Sequence, residues 1–322
     1  MKKSFKLLAL GLAVAPCALM LTACGGNGKD NLVDIKGDYT PVATTEYNAV
    51  IEEIDTGFDL KEVAKGLKST LTIEANTNLG ALGKLDIKLD SEEILKGNPD
   101  NGMLSADAIE AYMKATAKVK MTAEDQYGNE ISQESNASAK QFIVNGTQYV
   151  DLSGSKDFMD TFGAEYPTKY YQVLATDEAQ PIAIPEISLG DLLAEIPEGE
   201  WGQYVQISKS ESETGYKIKV VADKDVLTSA IANSGILVEY GVNVIFTTNA
   251  EMYMIYENNE FAGLYFDTDA KVIVNIPEGN SLYQILGSSV TINTSINLQL
   301  VGFDGEINFP NFSGYTNMEE LN

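Results

Sequence analysis

The chain has 322 residues, with 47 acidic side chains against 22 basic ones and a net charge of −25, and every basic residue is lysine. Without arginine there is no bidentate fork for phosphate or guanine, and so acidic a surface repels nucleic acid. Without histidine, Ser-His-Asp and Cys-His catalysis and His-ligated zinc are closed to it.

At the N-terminus, Lys2, Lys3 and Lys6 precede an apolar stretch, residues 7–21, that is broken by Pro16 and followed by Thr22-Ala23-Cys24. It is short for a membrane span and carries a charged flank of the signal type. This segment resembles a bacterial lipoprotein signal peptide with its lipobox. The resemblance implies diacylglyceryl transfer to the Cys24 thiol, cleavage after Ala23, and a mature chain held by lipid on the extracytoplasmic face of the cell membrane. A plain secretory signal or membrane anchor with a chance cysteine is the alternative. Removal of residues 1–23 takes Cys17 and three lysines, leaving Cys24 as the sole thiol, no possible internal disulfide, and a net charge of −28. Such a surface gains nothing from anionic headgroups, so the anchor is the acyl chains.

Residues 24–45 are mostly Gly, Asn, Asp, Lys and Thr and read as a flexible tether with a reach of about 25 Å. Residues 46–322 read as one β-rich domain. It begins with helical periodicity over residues 49–67, on Val50, Ile54, Phe58, Val63 and Leu67, as two short helices broken at Gly57. Period-two alternation follows on Leu71, Ile73 and Ala75, on Leu85, Ile87 and Leu89, and on Val119 and Met121. Each predicts a strand with one buried and one wet face. Asn145-Gly146 predicts a type I′ hairpin that sets Val144 opposite Thr147, Phe142 opposite Tyr149 and Lys140 opposite Asp151. Ser155 is a candidate cap for a helix over residues 155–162. Residues 175–200 carry three prolines and read as a cover segment with a helix capped by Ser188.

Alternation resumes on Tyr216, Ile218 and Val220, and Asp223 is a candidate cap for a helix carrying Val226, Leu227 and Ile231. Val238 to Phe246 alternate next. In residues 252–266 a two-residue loop at Asn258-Asn259 groups Met252, Met254 and Tyr256 with Phe261, Gly263 and Tyr265, and Tyr253 and Ile255 with Ala262, Leu264 and Phe266. The longest run, residues 290–300, sets Val290, Ile292, Thr294, Ile296, Leu298 and Leu300 against polar neighbours over roughly 37 Å. Short turns, Asp304-Gly305 among them, join the strands, so the sheet is an antiparallel meander.

So many apolar rows and so few helices leave two solutions: a sheet folded over itself, or a curved sheet around a cavity. The order of "FIVNGTQYVDLSG", "YKIKVVADKDVLTSAI", "EMYMIYENNEFAGLYFD" and "INLQLVGFDGEINFP" resembles the LolA/LppX-type lipoprotein fold and similar lipoproteins of Gram-positive bacteria. The resemblance implies a single strongly curved antiparallel sheet, an unclosed barrel, with helices on its concave face and acyl chains held between. It brings no catalytic residues and no cofactor. The expected function is a carrier or chaperone that binds a lipid among Phe142, Val144, Tyr149, Val244, Phe246, Met252, Met254, Ile296 and Leu298. The competing expectation is a non-catalytic structural or interaction module with a fully packed core. The acidic pairs Asp267/Asp269 and Asp223/Asp225 lack EF-hand spacing and read as surface charge. Trp201 starts a strand and lines a mouth or packs a rim.

Overall fold

The structure, a computed structural model, describes residues 32–57, 66–97, 103–104, 110–125, 127–156, 167–173, 182–183, 201–234, 241–258, 260–280 and 283–318. The first half of the chain gives β1 (Thr40–Pro41), α1 (Tyr47–Gly57), β2 (Leu67–Asn78), β3 (Lys84–Lys96), β4 (Met103–Leu104), β5 (Glu110–Glu124), β6 (Glu130–Val144), β7 (Thr147–Asp151), β8 (Lys169–Val173) and β9 (Ile182–Ala183). The second gives α2 (Trp201–Tyr204), β10 (Val205–Glu211), β11 (Gly215–Ala222), α3 (Lys224–Ser234), β12 (Val242–Phe246), β13 (Ala250–Glu257), β14 (Glu260–Asn275), α4 (Tyr283–Leu286), β15 (Ser289–Gly302) and β16 (Thr316–Asn317).

Fourteen strands form one open sheet in the order β1-β10-β11-β13-β14-β15-β2-β3-β5-β6-β7-β8-β16, with β12 beside the second half of β14. A two-stranded pair, β4 with β9, stands apart. The expected large β-rich sheet, not closed into a barrel, is present. It is mixed rather than wholly antiparallel, because β16 returns parallel to β8. The Asn145-Gly146 hairpin has the expected register, with both turn residues at positive φ.

Because directly opposite residues share a face, the registers sort every side chain. One face carries a row that crosses nine strands: Ile207, Val220, Met252, Phe266, Leu298, Leu71, Ser91, Ala115 and Ala139. At the β10 end of this apolar face, α1 sets Tyr47, Val50 and Ile51 against Val205, Ile207, Ile218 and Met254 in the main core. A second cluster joins Leu85, Val119, Val290 and Ile292 with Tyr283 and Leu286 of α4.

Four sequence expectations are corrected. Leu67 is the first residue of β2, not the end of a helix. Gly66, at φ +155°, lies so close to the Phe303 carbonyl that a Cβ there would clash with it, and α1 is described as far as Gly57, with the expected second helix over residues 58–65 outside the described residues. Trp201 opens the short helix α2 and not a strand, which begins at Val205; the Ser155 hydroxyl donates to the Ser138 carbonyl at 2.7 Å, and most of the helix expected after it lies outside the described residues. Asp304-Gly305 does not make a hairpin. Both neighbours of β15, β14 and β2, are already in place, so the chain leaves the sheet. The tether, expected to be free to residue 45, is docked from residue 32: Val33 is buried against Tyr253 and Ile255, with Leu32, Ile35 and Tyr39 around it. The backbone N–H groups of Leu32 and Val33 donate to Gln299 Oε1, which buries a residue of the expected wet face.

Asp223 Oδ1 accepts the Asp225 N–H at 2.8 Å and caps α3 as expected. Cys24, the signal segment, the Ser188 helix and most of the 155–162 helix lie outside the described residues.

Candidate hydrophobic-ligand site

Residues 252–266 were the segment in which both faces read as apolar, and in the structure both faces are covered. Met252, Met254 and Tyr256 pack under α1, while Tyr253 and Ile255 lie under residues 32–39. The expected pairing around the loop holds for Glu257 with Glu260 and Tyr256 with Phe261, and then shifts by one. Ala262 is the extra residue of a β-bulge, so Met254 opposes Leu264, Met252 opposes Phe266 and Gly263 faces Ile255. The shift is what brings Leu264 and Phe266 onto the face that carries Leu300 and Leu298 of β15.

The nine expected ligand residues do not converge. Val244, Phe246, Met252, Met254, Ile296 and Leu298 lie on the apolar face, through their pairings with Val272, Ala270, Phe266, Leu264, Thr268 and Phe266 respectively. Phe142, Val144 and Tyr149 lie on the opposite face, because the register from β2 through β3 and β5 places Tyr112 with Phe142 and Tyr149 beyond it. No single cavity is lined by both groups. A one-residue difference of parity along β5 separates them, and it is invisible until the strand order is known.

The opposite face answers what covers its aromatic residues. The C-terminal segment crosses it and places Phe312 flat on Tyr149, with ring centroids 3.7 Å apart, and edge-on to Phe142 at 5.6 Å. Phe309 and Tyr315 complete the cluster against Phe142 and Tyr149. Each such ring pair contributes about 0.5–1.5 kcal/mol beyond burial. Sequence reasoning missed these residues, although the alternation of half-buried Phe303, Ile307 and Phe309 with exposed neighbours was a readable signal.

Within the apolar face, side-chain size falls along the rows. Ile218, Val205 and Leu71 are fully buried and Met254 is 2% exposed, whereas Ile296, Leu298, Leu89 and Met113 are half-buried. Toward β6 the rows end in Ser91, Ala115 and Ala139, and in Ala117 and Ala137. Thr268, on the row of Ile296, Ile73 and Leu89, is buried with a hydroxyl that has no hydrogen-bond partner among the described residues.

Polar chemistry concentrates on the opposite face beneath the docked N-terminal segment. Lys219 Nζ lies 2.9 Å from Glu251 Oε1, and the Tyr253 hydroxyl donates to Oε2 at 2.8 Å. Burial works to raise the Glu251 carboxyl, but these two bonds outweigh it and hold it below its ordinary range. Burial, reinforced by Tyr253 and Asp34, pushes the Tyr39 phenol up to about 12.

Asp267 accepts from Asn297 Nδ2, and Asp223 caps α3, so both carboxylates have structural roles. Among the described residues no three acidic or cysteine side chains gather as a metal site, and no helix is long and apolar enough to cross a membrane. No protein-family model matches the chain, and no curated protein does.

Proposed function

We propose that the chain is a lipid-anchored protein of the extracytoplasmic membrane face that binds an acyl chain, or a comparably hydrophobic ligand, on the apolar side of its sheet. The anchor is the diacylglyceryl group expected on Cys24. The sheet is read as strongly curved, with its helices on the concave, apolar side and the ligand between helices and strands. The protein acts as carrier or chaperone, without covalent chemistry.

The observation that carries this reading is the taper of the apolar rows. Bulky residues at the β10 end are consumed in packing α1. Toward β6 the same face offers half-buried Leu89 and Met113 beside alanines. Small side chains on an apolar floor leave room for methylenes, each contributing about 0.8 kcal/mol on burial. Phe142, Val144 and Tyr149 take no part, since they lie on the other face. A second reading, a structural module with a packed interior, is favoured by the full burial of Leu71, Val205 and Ile218.

The two separate in one experiment. Full-length protein released from membranes is extracted and its lipids read by mass spectrometry, and uptake of a fluorescent fatty acid is titrated. The carrier reading expects bound lipid and saturable uptake, weakened about tenfold or more by Ala117→Leu with Ala137→Leu at an unchanged unfolding midpoint. Empty protein that takes up nothing supports the packed module.

A further inference from the structure

Most outer edges of the sheet are blunted. The edge of β10 meets the short, proline-bearing β1, and Val42 N–H donates to the Ile207 carbonyl. The edge of β12 meets α3, where the Thr228 hydroxyl accepts the Phe246 N–H. The edge of β8 is covered by β16. The first part of β6 differs. Its partner β7 reaches only residues 140–144, and the turn at Ser155 stops at Ser138. Over residues 130–137 the outer edge meets no strand among the described residues, and residues 130–134 and 136 are exposed.

An open edge presents alternate backbone N–H and C=O groups, and proteins guard such edges with lysine, proline or a bulge. Residues 130–137, EISQESNA, contain no lysine or proline, and the pairing with β5 runs without a bulge. Two large apolar side chains stand out beside it, Tyr127 at 79% exposure and Ile131 at 56%. Tyr127 is not on a loose loop, since Asp125 accepts the N–H groups of both Tyr127 and Asn129. The charge at the hairpin mouth is acidic: Glu124 and Glu130 are directly opposite, with Asp125 beside them, whereas Glu134, further along the same face, lies opposite Lys120 and is ion-paired with Lys118 at 3.0 Å.

We propose that this edge of β6 docks an extended basic segment of another protein, which joins the sheet as a further strand. One cationic side chain falls opposite Glu130, beside Glu124 and Asp125, and another reaches the Tyr127 ring, while an apolar side chain on the other face meets Ile131. A second copy of this chain fits less well, because it brings the same net charge of −25.

The test uses the full chain and the peptide acetyl-KTKVKTKV-amide. Saturable binding is expected, with hydrogen exchange of alternate amides in residues 130–137 slowed about tenfold. The same peptide N-methylated at alternate residues should not bind. Glu130→Lys, which removes the like-charge pair with Glu124, should weaken binding about tenfold and leave thermal unfolding unchanged. Equal binding of the acidic peptide ETEVETEV, binding without protection of residues 130–137, or sedimentation showing that two copies pair through this edge would each overturn the proposal.

Discussion

At the scale of single residues, stability rests on side chains whose surroundings differ from what their sequence neighbours suggest. Thr268 alternates as a core position and is buried as one, yet its hydroxyl lacks a partner among the described residues. Thr268→Val is nearly isosteric and removes that unmet bond, so it should raise unfolding stability by about 1 kcal/mol in urea titrations. Phe312 holds the C-terminal segment down by stacking on Tyr149, and Phe312→Ala should cost about 1–3 kcal/mol for a half-buried ring. Tyr39 gives a pH signature. Its folded value of about 12 lies above the ordinary 10.0, so between those values the unfolded chain has released a proton that the folded chain keeps. Stability is therefore full below pH 10 and falls as pH rises toward 12. Tyr39→Phe should flatten that fall when unfolding is compared at pH 9 and pH 11.

At the scale of elements, the β13–β14 bulge decides which face half a strand presents. Side chains alternate with period two, so one inserted residue reverses everything beyond it until the register is restored. Deleting Ala262 should re-create the uninterrupted two-residue hairpin while Gly263 stays opposite Ile255, Leu264 opposite Met254 and Phe266 opposite Met252, so the core face is kept. The expected outcome is soluble folded protein with an unchanged far-ultraviolet spectrum. Loss of folded protein would show that the bend made by the bulge, and not only the register beyond it, is required. The bulge was not legible because Phe261, Ala262, Gly263, Leu264, Tyr265 and Phe266 are apolar on both parities. Where one parity is polar, as in β2, β11 and β15, the strands were read with their correct inward residues.

At the scale of the whole molecule, the first and last described segments lie as straps across the opposite face, one over Tyr253 and Ile255 and the other over Phe142 and Tyr149. The N-terminal strap hangs on the Gln299 side chain, which accepts two backbone N–H groups. Gln299→Leu leaves those donors unpaired, and limited proteolysis should then cut within residues 32–41 well before the sheet unfolds. Seven residues, 25–31, lie in sequence between Cys24 and the first described residue, so an acyl anchor on Cys24 joined through a flexible coil of that length would sit at an r.m.s. distance of roughly 15 Å from the strap.

The sequence by itself determined the chain's acidity, the chemistries closed to it, the β-rich class, the Asn145-Gly146 register and the α3 cap. Each follows from local rules: charge, side-chain identity, period and turn geometry. Only the tertiary structure decided which strand neighbours which, and therefore that Phe142 and Met254 stand back to back across one sheet instead of facing a common space. Face identity is carried through the register of every intervening strand, and no local period records it.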